Sequence, residues 1–150
     1  MMNAWTTATG IGPKFYVIDP VSRQVFFITQ MREGNRDTLF WGQAEFIAAE
    51  ELSRQRGYWW SRDGRQLLAL RVDESGVGIK TRAQILADRT ELVQQRYPAA
   101  GEANAQVTAH VIDVASGQQR ALPLPKNAEY IARAGWFADG TPSRPSWPSH

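Results

Sequence analysis

Trp60-Ser61-Arg62-Asp63-Gly64 closes an aromatic run with an Asp-Gly pair, and Trp136-Phe137-Ala138-Asp139-Gly140 repeats this pattern later in the chain. An Asp-Gly pair adopts the positive φ of a tight hairpin, so each copy is typical of a strand that ends in a turn. A second pattern, Val-Ile-Asp-x-x-Ser-x-Gln, occupies residues 17–24 and again residues 111–118. The two patterns alternate, and this order is typical of the repeated antiparallel sheets of a β-propeller.

The repeats predict an all-β fold, namely a partial β-propeller with about one full blade and parts of two neighbours. Because their spacing exceeds the ~40–50 residues usual for a blade, we expect insertions at residues 44–57 and 73–101. We assign residues 1–140 to the propeller fragment. Residues 141–150 form a Pro/Ser-rich tail that is expected to be disordered or to be an artefact of truncation, since its prolines remove ladder donors.

The first insertion carries an adjacent acidic pair, Glu50 and Glu51. Phe46, Ile47 and Leu52 are spaced among Ala and Glu in a way that favours a short inserted helix bearing the pair. Adjacent carboxylates repel each other and contribute little to folding, so near a concave site they suggest a cation partner such as a protonated amine. The alternative is that both acids are simply solvated at the start of a polar helix.

Composition excludes several classes of function. The chain has 150 residues, 43% of them hydrophobic, which is enough for one domain with one core. Its formal charge of +2 comes from scattered arginines, so no nucleic-acid partner is expected. With no cysteine and only His110 and His150, we expect no metal and no cofactor. Asp73 and Glu74 lack a third oxygen ligand nearby in the sequence, which makes a metal site there a weak hypothesis.

Several other side chains have competing interpretations. Trp59, Trp60 and Trp136 are interpreted as core residues that fill the space between blades. Arg54 either pairs with the acidic pair or is exposed to solvent. His110 is expected to be a surface residue of an outer strand, with no nearby partner.

The order and spacing of these motifs resemble those of one known family. The stretches that carry the likeness are Ala44-Glu45-Phe46-Ile47-Ala48-Ala49-Glu50-Glu51-Leu52 with Arg54, Gly57-Tyr58-Trp59-Trp60-Ser61-x-Asp63-Gly64, Arg71-Val72-Asp73-Glu74-Ser75, Ala87-Asp88-Arg89-Thr90, and Gln95-Arg96-Tyr97-Pro98-Ala99-Ala100-Gly101-Glu102-Ala103-Asn104. Together they are similar to the N-terminal β-propeller domain of the dipeptidyl peptidase IV family, which belongs to the prolyl oligopeptidase-type serine peptidases. The likeness covers about residues 15–140.

The resemblance implies a role for the acidic pair. In that family the propeller caps an α/β-hydrolase domain, and the enzyme releases dipeptides from peptide N-termini, preferring Pro or Ala in the second position. Glu50 and Glu51 match the pair that binds the free α-amino group of the substrate. An ammonium group offers three donors, and two carboxylates accept them through charge-assisted bonds. Anchoring the N-terminus would place the second peptide bond at the nucleophile.

The sequence also departs from the family. It contains no Gly-x-Ser-x-Gly elbow, so the catalytic Ser, Asp and His would come from a missing α/β-hydrolase domain, and the chain alone is expected to be inactive. The family's substrate-holding Arg would lie before Met1. Gly76 stands where many relatives have Pro. If the chain is like its bacterial relatives, we expect it to be periplasmic or membrane-associated.

Two alternatives remain from the sequence alone. One is a non-catalytic β-propeller scaffold that binds a protein partner, and the other is an inactive, truncated gene product. An incomplete propeller leaves strand edges uncovered, so a homo-oligomer that covers them is a further candidate.

Overall fold

The computed structural model describes residues 38–124 and 130–143, together with the backbone of two strands, β1 (Lys14–Ile18) and β2 (Val25–Gln30). These two strands pair antiparallel, with a register shift between Phe15 and Tyr16. β1 ends within the first Val-Ile-Asp pattern, and the residues between the two strands lie outside the described residues.

The rest of the described chain is mostly strand. In chain order the elements are β3 (Leu39–Gln43), α1 (Phe46–Glu50), β4 (Arg56–Trp60), β5 (Gln66–Asp73), β6 (Ile79–Ile85), β7 (Thr90–Arg96), β8 (Gln106–Asp113) and β9 (Gln119–Leu122). Five of the strands form one sheet in the order β3-β4-β5-β8-β9, and every pairing within it is antiparallel. The all-β prediction and the short inserted helix are both confirmed.

The centre of the sheet is β5, whose residues from Leu67 to Leu70 are fully buried. Side chains alternate between the two faces of a strand, so a strand that is apolar throughout must be covered on both faces. One face packs Leu67 and Ala69 with Trp41 and Ile112. The other packs Leu68 and Leu70 into a second cluster, whose buried members also include Ala109, Val111 and Ile131.

The predicted aromatic core residues lie in these clusters. Trp60 packs against the first cluster, and Trp59 and Trp136 pack against the second. The indole nitrogen of Trp136 donates to the carbonyl oxygen of Trp59 over 2.9 Å, which satisfies its polar group. The interpretation of these residues as core is confirmed.

Both Asp-Gly pairs form the same turn. Gly64 (φ 70°) and Gly140 (φ 83°) adopt the left-handed conformation, and each N–H donates over 3.0 Å to the carbonyl three residues earlier. The preceding carboxylates, of Asp63 and Asp139, accept the N–H two residues further on, over 3.1 and 2.9 Å. After the second turn the chain continues into a bridge between Trp136 and Pro142, while residues 144–150 lie outside the described residues.

Strands β3 and β4 share one edge of β5, end to end. Leu39 pairs with Asp73 and Trp41 with Arg71, whereas the pairs of β4 involve residues 67–69 of β5. Where β3 and β4 meet, Gly57 lies opposite Gly42, and a Cβ on Gly57 would come within 2.4 Å of the backbone oxygen of Gln43. The connection that contains α1 leaves the sheet at this junction.

The second insertion is a hairpin formed by β6 and β7. The strands pair from Ile79 with Arg96 to Ile85 with Thr90, and an N–H of Tyr97 donates to Gly78 over 2.9 Å at the base. The two strands pair with each other and with no other strand of the described chain. The expected excursion within residues 73–101 is thus a separate two-stranded arm.

Candidate functional site

The acidic pair lies at the carboxyl end of α1. Glu50 is the last residue of the helix, Glu51 is its C-cap, and both side chains are exposed. The prediction of a helix carrying the pair is correct for Glu50, while Glu51 lies one residue beyond it. This end of a helix bears a partial negative charge, so both carboxylates lie where helix electrostatics disfavour them.

Neither acidic side chain has an ion-pair or hydrogen-bond partner within the described residues. The ion pairs found there join other residues, and the last turn of α1 contains no basic residue. Two adjacent carboxylates thus face solvent with unused acceptors, which could accept hydrogen bonds from an ammonium donor.

Arg54 differs from both sequence expectations. Its side chain is 3% exposed, and its Nη2 lies 2.6 Å from Oε2 of Glu45, which is 4% exposed. Its Nε donates to the carbonyl of Ile131 over 2.9 Å, and its Nη1 donates to that of Arg56 over 3.1 Å. The expected exposure and the expected pairing with Glu50 and Glu51 are both wrong, because a nearer buried carboxylate takes the guanidinium.

Glu45 and Glu74 were missed by the sequence reasoning as members of this region. Glu45, Glu74 and Arg96 line a small cavity beside α1, and Oε1 of Glu45 is buried with no hydrogen-bond partner among the described residues. Burial raises the pKa of the Glu74 carboxyl above its ordinary value. The Arg96 guanidinium opposes this rise in pKa, and the Glu45 carboxylate adds to it. The sequence did contain a signal of this region, because Glu45 and Arg54 carry opposite charges and flank the predicted helix.

The weak metal hypothesis at Asp73 and Glu74 gains no support. Oδ1 of Asp73 accepts the N–H of Ser75 over 2.9 Å, and hydrogen bonds from Ser75 lower the pKa of the Asp73 carboxyl. No group of three His, Asp or Glu side chains able to hold a metal ion occurs within residues 38–124 and 130–143. Asp73 therefore has a local role in a turn.

His110 is half-buried and has neighbours, so the expectation of a surface residue without a partner was wrong. Its ring lies 4.9 Å from that of Trp41, and its Nε2 is 3.0 Å from Oγ1 of Thr108. Burial lowers the pKa of His110, and the positive charge of Arg71 lowers it further. The strand that carries His110, β8, lies between β5 and β9 and is not an edge strand.

No helix in the described parts of the chain is long and apolar enough to cross a membrane.

Comparisons with known proteins agree on one family. The family model described as the dipeptidyl peptidase IV (DPP IV) N-terminal region matches residues 14–144. A probable dipeptidyl peptidase 4 of Trichophyton verrucosum is 27% identical over 121 residues, covering 74% of this chain and 16% of that protein. Dipeptidyl peptidase 8 of Mus musculus is 33% identical over 121 residues, covering 66% of this chain and 14% of that protein.

A solved structure shows the same fold. The crystal structure of Porphyromonas gingivalis dipeptidyl peptidase 4 aligns with a TM-score of 0.69 and 26% identity, over 81% of this chain and 17% of that one. The chain therefore spans about a sixth of the length of the relatives it matches. The propeller is partial and is not closed within the described residues.

Proposed function

Because this chain belongs to the dipeptidyl peptidase IV family, as part of its N-terminal region, we propose that it is the substrate-recognition part of a serine exopeptidase. In this proposal Glu50 and Glu51 bind the N-terminal ammonium of a peptide. The relatives are named dipeptidyl peptidases. An enzyme that releases a dipeptide from the N-terminal end of a peptide must locate that end. A group that recognises that terminus is what such an activity needs from its recognition domain.

The observation that carries the proposal is the position of the acidic pair. Both carboxylates are exposed, adjacent and without a cation partner within the described residues, at the helix end where negative charge is least stable. Such a placement gains little for folding. A bound ammonium would supply three donors and one positive charge, so it would relieve the repulsion between the two acids.

The proposed mechanism divides recognition from chemistry. The acidic pair fixes the amine end of the peptide, and the distance from that anchor to the nucleophile determines which peptide bond is attacked. As the family resemblance implies, the acyl transfer would use a Ser-His-Asp set on an α/β-hydrolase domain; the 150 residues of this chain contain no Gly-x-Ser-x-Gly elbow. We accordingly expect the 150-residue chain to bind a peptide amine without cleaving the peptide.

The test is a binding titration of the full 150-residue chain with alanyl-proline amide, followed by NMR. We expect saturable shifts at α1 that are lost in the Glu50→Gln/Glu51→Gln variant and absent with N-acetylated alanyl-proline amide. Asp88→Asn/Glu91→Gln is the matched control, since it removes two exposed carboxylates from the β6–β7 hairpin. Equal binding of the free and acetylated peptides would overturn the proposal, as would unaltered binding by the double Gln variant.

A second candidate is a scaffold that associates with a copy of itself, which is favoured by the hairpin. Ile79, Ile85 and Leu92 are 56%, 82% and 77% exposed on this arm. Ile85 and Leu92 lie close together near the tip of the hairpin, and large apolar side chains left in water are typical of an interaction surface. Light scattering after size exclusion would test this. We expect a dimer that Ile85→Asp/Leu92→Asp converts to monomer, and a monomeric wild-type chain would reject the candidate.

A further inference from the structure

The acidic pair lies on a segment whose helix propensity is too weak to hold its shape. Helix α1 has only five residues, and no side chain caps its first turn. Isolated helices shorter than ~12 residues are marginal in water. Just beyond the helix, Ser53 takes a positive φ of 52°, which is unfavourable for a residue with a Cβ. Something outside the helix must therefore hold the segment in place.

The buried Glu45–Arg54 ion pair joins the two ends of this segment. Glu45 immediately precedes α1, Arg54 follows the Ser53 turn, and their side chains meet at 2.6 Å in the interior. The N–H of Arg54 also donates to the carbonyl of Ala48 within α1, over 2.9 Å. The ion pair thus holds together the two ends of the segment that carries Glu50 and Glu51, and Glu45 and Arg54 form the base of that segment.

Arg54 also attaches that base to the sheet. Its Nε donates to Ile131, which lies 77 residues away in sequence and is buried in a core cluster, and its Nη1 donates to Arg56 at the start of β4. The planar guanidinium presents donors in fixed directions, so one side chain orients three separate backbone or side-chain groups. Lysine would keep the charge but would not reproduce this geometry.

We propose that the Glu45–Arg54 ion pair is a positioning device that holds α1, and with it Glu50 and Glu51, in the geometry that recognises a peptide amine. The role in amine recognition rests on the proposed function. The effect of the Glu45–Arg54 ion pair, hereafter the clamp, on the segment between these residues can be measured without a ligand. Glu45 and Arg54 are positioning residues, because they act through the segment between them and are themselves shielded from solvent.

The experiment compares wild type with Arg54→Met and Arg54→Lys in the full 150-residue chain. Amide exchange is measured at Ala49, Glu51 and Arg54, whose N–H groups donate to carbonyls of residues 45, 47 and 48. We expect exchange at these amides to be about tenfold faster in both variants, while core amides of β5 in Arg54→Lys stay protected. Arg54→Lys keeps the variant set informative if Arg54→Met does not fold. Lys80→Met is the control, since it removes one cation from an exposed ion pair elsewhere.

The affinity for alanyl-proline amide is a second measurement, because the two explanations predict that it changes in opposite directions. Removing a cation near the acidic pair should strengthen ammonium binding if charge alone matters, whereas loss of the clamp should weaken it, by about tenfold. Repeating the titration at ~0.5 M salt suppresses the long-range charge effect. Lys80→Met should leave the affinity unchanged.

The outcomes separate the clamp from the function it serves. Unchanged exchange at the α1 amides in Arg54→Met or Arg54→Lys, or no protection of these amides in wild type, would overturn the clamp. Faster α1 exchange without any wild-type binding of the free amine would support the clamp and reject the proposed function. Wild-type binding that the two variants retain at full affinity would reject the positioning role alone.

Discussion

Glu50 and Glu51 occupy positions where their charges oppose folding. They are adjacent, exposed and at the negative end of α1, and no partner within the described residues offsets them. Residues kept at a cost in stability are typical of binding sites. The cost itself can be measured separately from any ligand.

We predict that Glu50→Gln/Glu51→Gln stabilises the chain by about 0.5 kcal/mol at low salt, because it removes both the mutual repulsion and the unfavourable helix-end interaction. Urea denaturation would measure the change. The gain should shrink as salt is added, since exposed charges are screened. A clear loss of stability would instead show that the acids hold the segment together.

Glu74 gives a prediction that depends on pH. Burial raises the pKa of its carboxyl above the ordinary value of 4.5. The ionised form is therefore less favourable in the folded than in the unfolded state. Its contribution to stability is fully present below pH 4.5 and is lost as the pH rises through the higher folded pKa.

Glu74→Gln should accordingly raise the midpoint of thermal unfolding at pH 7, with a gain of about 0.5 kcal/mol or less because the side chain is partly solvated. Below pH 4.5 the variant and wild type should unfold at the same temperature. Melts between pH 4 and pH 7 provide the measurement. A difference that stays constant across this range would show that the ionisation of Glu74 is not its source.

At the scale of elements, the junction of β3 and β4 determines where α1 leaves the sheet. Only glycine fits at position 57, because a Cβ there would meet the backbone of Gln43 at 2.4 Å. The strands cannot separate without losing their pairing with β5.

We predict that Gly57→Ala destabilises the chain by about 1–3 kcal/mol, the usual cost of overpacking a close contact. Chemical denaturation would measure it, with Gly76→Ala as the matched control, since the nearest atom to a Cβ there is 4.0 Å away. We also expect shifted NMR signals in α1, because the junction is the base of its segment. Equal stability of the two Ala variants would contradict this account.

Local sequence patterns predicted the secondary-structure elements better than the long-range contacts between them. The Asp-Gly turns and the short helix depend on neighbouring residues, and they were correctly predicted from local patterns. The clamp was not, because Arg54 contacts Ile131 across 77 residues of chain, and no local pattern in the sequence reports such a contact. His110 was misjudged for the same reason, since its partner Trp41 is brought to it by the pairing of β3 and β8 with β5.

At the scale of the whole molecule, the described chain contains, besides the β1–β2 pair, a five-stranded sheet packed on both faces and an arm whose strands do not join that sheet. The strands of the arm, β6 and β7, pair only with each other among the described strands, and much of their apolar surface is exposed. Apart from Arg96 at its base, which lines the cavity beside α1, the arm therefore contributes little to the core that supports α1.

Replacing residues 80–95 with Asn-Gly should leave the thermal midpoint within about 5 °C of wild type, since the core clusters are untouched and a two-residue loop closes the Ile79–Arg96 pair. Binding of alanyl-proline amide should persist. Calorimetry and the NMR titration are the measurements. Loss of cooperative unfolding would show that the arm is part of the folding unit.

The shared edge of β5 has one more consequence. Because β3 and β4 each pair with β5 at separate positions, the register of each strand is set without reference to the length of the chain between them. Residues 46–53, between the two partners of the buried ion pair, can then be lengthened, shortened or exchanged as a cassette while the sheet and the Glu45–Arg54 pair stay constant. Under the proposed function, such a change would alter the reach of Glu50 and Glu51, and with it the number of residues between the bound peptide amine and the attacked bond.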